Sequence, residues 1–202
     1  EWSSNIFYAT LMVLGSVYLL SYLLPINMFI IIIILVAVFT GVNVRGIKEA
    51  GITQTLLTST LLAILFLFIG AALTHGFRSD AFEPFMPKGP LSVIAAIAFI
   101  FDTYLGVEAI AATQAEIKKP EKTIPRAMIL CSLILILVYT LVAYVTVGIV
   151  SPDVLSKSST PLNLVAEKTI GGVGVILLTA AGLIAALTSL NSAIIASSRA
   201  AY

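Results

Sequence analysis

Asp102 and Glu108 are two carboxylic acids inside an otherwise apolar run, Phe99-Ile100-Phe101-Asp102-Thr103-Tyr104-Leu105-Gly106-Val107-Glu108-Ala109. An acid near the centre of a membrane-crossing helix costs roughly 2.5 to 3.5 kcal/mol on insertion scales. The pair must therefore face protein or a water-filled cavity, or be held neutral by protonation. On a continuous helix the two side chains would point about 240° apart, a poor arrangement for paired acid–base catalysis. Gly106 between them weakens the helix, and a broken span offers other chemistry. Free carbonyls of one half attract cations, and free amides of the other attract anions. The alternative is an unbroken helix whose acids hydrogen-bond to neighbouring helices. No Cys/His metal spacing, Gly-rich phosphate loop or nucleophile–base motif is present, so no metal site, cofactor or enzyme activity is expected.

The elements that must hold these acids are written in the composition. Apolar types make up 59% of the 202 residues and charged types 10%. Mean hydropathy is +1.10. Soluble domains carry about a quarter charged residues, so lipid is the expected solvent and partner. The net charge of +1 gives no basic face for nucleic acid. Cys131, the single cysteine, excludes an internal disulfide framework. A membrane-crossing helix needs about 20 apolar residues, and six stretches meet or approach this, at about 1–24, 27–42, 50–74, 91–115, 126–150 and 172–198. All eight prolines fall between or at the ends of these stretches. Barrel strands would be short and alternating, and none are seen. The expected fold is an all-α, polytopic membrane helix bundle of six spans. It forms a single transport domain over residues 1–202, broken at about Asp102–Glu108. The chain reads as a piece of something longer.

Charge sets the expected orientation. One side collects Arg45, Lys48, Lys118, Lys119, Lys122, Arg126 and Arg199. The other holds Arg78, Lys88, Lys157 and Lys168, offset by Asp80, Glu83, Asp153 and Glu167. Both ends are thus expected in the cytoplasm, in a multi-pass protein of the cell membrane. The outer loops carry Phe77, Phe82 and Phe85, which suit partly folded caps at the headgroup level. Within Ser159 to Ile170, a Ser-Thr-Pro start and Glu167-Lys168 suggest a short amphipathic helix.

Three segments carry a resemblance. They are Gly106-Val107-Glu108 followed by Ala115-Glu116-Ile117-Lys118-Lys119-Pro120-Glu121-Lys122-Thr123-Ile124-Pro125-Arg126-Ala127; Asn43-Val44-Arg45-Gly46-Ile47-Lys48; and Ser189-Leu190-Asn191-Ser192-Ala193 with Ser198-Arg199-Ala200-Ala201-Tyr202. In order and spacing the chain resembles permeases of the amino acid–polyamine–organocation superfamily. The resemblance implies a five-plus-five inverted-repeat fold in which these spans correspond to the third through eighth. The other broken helix, which receives the substrate carboxylate, would belong to missing spans of the parent chain. It also implies substrate contact at Phe101, Asp102, Thr103, Tyr104 and Gly106, with an amino acid or amine as partner. Three departures stand out. Ala115 and Lys119 replace a family acid and a family Asn, and Asp102 stands where a gating aromatic is usual. Asp102 either pairs with a substrate amine or cation, or carries a proton. Glu108 matches a family acid, as a proton carrier or pathway residue, or else as a structural hydrogen-bonding group.

Thr188 and Ser189 resemble the eighth-span half of the sodium site in sodium-coupled relatives. Hydroxyl and carbonyl oxygens suit a hard cation. The competing reading is packing, because Ala181, Ala185, Ser189 and Ala193 form a small-residue ladder. Some members carry a Lys in the fifth span in place of sodium. Its position falls at Leu61, and no Lys or Arg occurs from Glu49 to Gly76. An ammonium cannot occupy the site, so it is either filled by sodium or empty, and Na+ and H+ are the candidate coupling ions. The expected function is secondary active transport of amino acids or related amines by alternating access, ion-coupled or by exchange. The alternative is a channel-like or non-transporting membrane subunit that keeps the fold. His75, Tyr139 and Tyr144 read as surface and packing residues.

Overall fold

The computed structural model describes residues 2–23, 27–101, 104, 114 and 117–200. Among these the elements are all helical: α1 (Trp2–Leu23), α2 (Met28–Arg45), α3 (Ile47–Thr74), a 3₁₀ turn (Ser79–Phe82), α4 (Pro90–Phe101), α5 (Pro120–Ile149), α6 (Pro152–Leu155), α7 (Pro161–Thr169) and α8 (Gly172–Ala200). Among the described residues, four stretches are long and apolar enough to cross a membrane: Met28–Arg45, Lys48–Thr74, Pro120–Ile149 and Gly172–Ser198. Asn5–Tyr18 and Pro90–Phe101 are shorter apolar stretches. The chain is an all-α polytopic membrane helix bundle. Each stretch read as a span holds a helix. Helix α4, 12 residues or about 18 Å long, covers only the start of the span at 91–115 among the described residues. The expected break lies outside the described residues.

Two compact units divide the chain, Glu1–Leu67 with Ile176–Tyr202, and Phe68–Val175. In the first, Val13 and Val17 of α1, Ile31 and Phe39 of α2, and Leu190 of α8 form a buried apolar cluster. The i, i+4 spacing of Val13 and Val17 puts both on one face of α1. Ser16 lies in the same face, fully buried, and donates its hydroxyl to the Met12 carbonyl at 2.8 Å, so its burial leaves no unmet polar group. The other faces stay apolar and open: Phe29, Ile33 and Leu56 are all exposed. Helices hydrophobic all round belong in lipid or against further helices.

In the second unit the segment after α3 folds onto α5. The Arg78 amide donates to the Gly148 carbonyl at 2.9 Å. Phe82 stacks on Tyr144 with ring centroids 4.8 Å apart, and Phe77 lies 4.9 Å from Tyr144. A Cβ at position 148 would run into the Phe77 ring, which is why glycine stands there. The expected cap therefore forms through Phe77 and Phe82, whereas Phe85 stays exposed. The short helix expected within Ser159 to Ile170 is α7. Its Val165, Ala166 and Thr169 are buried on one face, while Glu167 and Lys168 are exposed.

Several boundaries differ from expectation. The spans read as 27–42 and 50–74 run on until Gly46 alone separates α2 from α3. Its φ of 134° and ψ of 165° suit glycine, and its amide closes on the Asn43 carbonyl at 3.2 Å. Helix α5 starts at Pro120 rather than near 126, and so takes Pro125 into its interior. The hydrogen bond that Pro125 lacks would have gone to the carbonyl of Glu121, an exposed residue of the first turn where water can serve it.

Lys119 caps α5 in the left-handed region, at φ 53° and ψ 58°, with its side chain exposed. That conformation costs an L-residue roughly 1 to 2 kcal/mol, less for Asn and nothing for Gly. Lys119→Asn is accordingly expected to stabilise the protein by about 1 kcal/mol, raising its melting temperature in detergent by roughly 2 to 4 °C. An unchanged or lower melting temperature would contradict this backbone account.

Candidate functional site

Helix α8 carries the oxygens assigned to an ion. Thr188 is 8% exposed, and its hydroxyl donates to the Ala185 carbonyl at 2.8 Å. Donation uses the hydroxyl hydrogen and leaves the oxygen lone pairs available. Ser189, the next residue, is half-buried. Ala181 and Ala193 of the small-residue ladder are buried, with Ala185 and Ser189 half-buried between them. This ladder packs, as the competing reading has it, and the packing does not consume the Thr188 oxygen.

One turn further along α8 is a constellation that sequence reasoning passed over. Asn191 is fully buried. Its amide nitrogen donates to the Ala50 carbonyl at 3.2 Å and to the Gln54 side-chain oxygen at 2.9 Å, both on α3. Its side-chain oxygen accepts from the Asn43 amide of α2 at 3.1 Å. The Asn43 amide also donates to the Phe39 carbonyl at 2.8 Å. Three amide side chains on three helices are thus joined across the Gly46 break. An Asn inside an apolar helix is the available signal that a partner must exist, because an unpaired amide there costs several kcal/mol. Which partner it meets is not encoded locally.

The residues assigned to substrate divide by what is described. Phe101 ends α4 and is 66% exposed. Tyr104 is half-buried, and its ring meets Tyr139 of α5 edge-on with centroids 5.6 Å apart. Such an edge contact adds about 0.5 to 1.5 kcal/mol beyond burial. Asp102, Thr103, Gly106 and Glu108 lie outside the described residues, as does Ala115. Phe101 and Tyr104 belong to the second unit, and Thr188, Ser189 and Asn191 to the first.

Other charged features are weak. Arg78 and Asp80 approach to 3.7 Å with both side chains largely exposed, an arrangement of little energetic consequence. His75 follows the last turn of α3, its Nδ1 2.8 Å from the Thr74 hydroxyl and 3.1 Å from the Ala71 carbonyl. Cys131 is half-buried. Among the described residues no group of His, Cys, Asp and Glu is placed to hold a metal ion.

The sequence is similar to those of known proteins. A family model described as amino acid permease matches residues 1–202. An uncharacterized protein of Methanocaldococcus jannaschii is 31% identical over 182 residues, which are 88% of this chain and 42% of that protein. The branched-chain amino acid permease BcaP of Lactococcus lactis is 27% identical over 181 residues, 85% of this chain and 39% of that one. A methylthioribose transporter of Bacillus subtilis is 30% identical over 115 residues, 57% of this chain and 25% of the transporter. The chain spans less than half the length of each of these relatives.

Proposed function

The chain belongs to the amino acid permease family, and from that premise we propose that it serves secondary active transport of amino acids or related amines by alternating access. The observation that carries this reading is the family match over residues 1–202, joined to relatives named as permeases and transporters. Multi-pass insertion follows from the apolar helices. Six spans, both ends in the cytoplasm and residence in the cell membrane complete the proposal. The rest of an inverted-repeat fold would come from further spans of the parent chain.

In this reading the substrate sits near mid-membrane against the break that follows α4. Phe101 and Tyr104 supply apolar and aromatic surface. Backbone groups freed around Thr103 and Gly106 orient the polar end of the substrate. Asp102 faces the substrate amine, and Glu108 carries a proton or lines the pathway. A substrate drives the cycle only through unequal affinity for the outward and inward states.

Sodium is the coupling ion that the side chains of α8 favour. The Thr188 oxygen retains its lone pairs, and no Lys or Arg between Glu49 and Gly76 offers an ammonium to stand in for the ion. Replacing sodium by choline at constant pH is expected to reduce uptake by the full chain in proteoliposomes to background. Uptake driven as well by an imposed proton gradient without sodium would retire Thr188 and Ser189 as ligands, and shift the coupling to Asp102 or Glu108.

A further inference from the structure

Two tyrosines from different apolar stretches meet in the second unit. Tyr104 stands just beyond the end of α4 and Tyr139 on α5, each near the middle of the stretch that carries it, 91–115 and 126–150. Their rings cross at 74° with centroids 5.6 Å apart, the edge-to-face geometry that the charge distribution of aromatic rings favours. Tyr104 is half-buried. Helix α5 is itself held. Val138, beside Tyr139, is buried, and further along the Phe77 and Phe82 rings lie on Tyr144 while the Arg78 amide bonds the Gly148 carbonyl. A tyrosine has only two side-chain rotations, so on a held helix it offers its neighbour a fixed surface. The contact reaches the chain at a telling place: Asp102 and Thr103 lie between Phe101, the last residue of α4, and Tyr104.

From this geometry we infer that Tyr139 is a positioning residue of the substrate site: its ring holds Tyr104, and through Tyr104 it sets the place of Asp102 and Thr103. The inference rests on the transport reading, which puts the substrate against that stretch. An edge contact of this kind shifts an equilibrium by roughly two- to twelve-fold. Without the Tyr139 ring, the fraction of molecules ready to bind falls by up to that factor, and apparent affinity falls with it. Because Tyr139 acts through Tyr104 and not on the substrate, the loss is the same for every substrate.

The test is uptake of labelled leucine and labelled arginine by the full chain in proteoliposomes, with KM and kcat measured separately. Tyr139→Leu is expected to raise KM about two- to twelve-fold, by the same factor for both substrates, with kcat little changed. Tyr139→Phe keeps the ring and should stay within about twofold of wild type. Added to Tyr104→Leu, Tyr139→Leu should cost nothing more, because its route of action is already gone. Tyr139→Met fills similar space without a ring, and takes the place of Tyr139→Leu if that variant fails to fold. Unchanged KM, with or without a fall in kcat, overturns the inference and leaves Tyr139 a packing residue. So do KM effects of the two substitutions that multiply, or a Phe variant as impaired as the Leu one. Unequal factors for leucine and arginine also overturn it, by making Tyr139 a substrate contact. In all of these results the transport reading stands, whereas wild-type protein without uptake removes both.

Discussion

Asn191→Leu is expected to lower the stability of the protein by about 2 to 4 kcal/mol, a sizeable share of a margin of roughly 5 to 15 kcal/mol. Leucine matches the volume roughly and suits the apolar surroundings, so the loss comes from the partners left behind. The Gln54 side-chain oxygen and the Ala50 carbonyl lose a donor, and the Asn43 amide keeps only Phe39. Asn191→Asp is expected to be worse: it keeps an acceptor for Asn43 but cannot donate to α3, and it buries a charge. Thr10→Ala is the control. Its exposed hydroxyl bonds only within α1, to the Ile6 carbonyl, so the change should stay within about 0.5 kcal/mol. Thermal unfolding of the full chain in detergent measures all three. If Asn191→Leu and Thr10→Ala melt together, the amide cluster contributes nothing to the fold.

The second large effect is on selectivity. If Asp102 pairs with the side-chain cation of a cationic substrate, Asp102→Asn removes a charge partner inside a low-dielectric site. Losing one partner of such a pair costs about 2 to 5 kcal/mol, or roughly thirty-fold to several thousand-fold in affinity. Arginine uptake should fall by that factor while leucine uptake changes little. Unchanged selectivity would sink the amine-binding role. The proton-carrier role leaves another signature: net uptake is lost for every substrate, while exchange of labelled for unlabelled substrate continues. One variant with two assays therefore separates the roles left open for this residue.

What could be read from the sequence was what depends on neighbours along the chain. Apolar runs of about the right length marked the spans, and Ser-Thr-Pro with Glu167-Lys168 marked α7. The break between α2 and α3 was placed several residues too wide, because Arg45 and Lys48 read as loop charges while the backbone needs Gly46 alone. Pro125 was read as a boundary, although a proline near the entrance of a helix frees a carbonyl that water can reach. The amide cluster escaped altogether. Asn43 and Asn191 are 148 positions apart, and Gln54 and Asn191 are 137 apart. Periodicity reports which face of a helix is apolar, not which amide on one helix meets an amide on another. Both asparagines did stand inside the segments that carried the family resemblance.

A carrier that alternates access couples the movement of substrate in the two directions, and counterflow separates it from a channel. Proteoliposomes holding the full chain are loaded with excess unlabelled amino acid and diluted into a trace of the labelled compound. A carrier is predicted to accumulate label transiently above the outside concentration, with no ion gradient imposed, and arginine outside should suppress the overshoot. Label that only equilibrates, without overshoot, in a folded protein would contradict the account and favour a channel-like subunit.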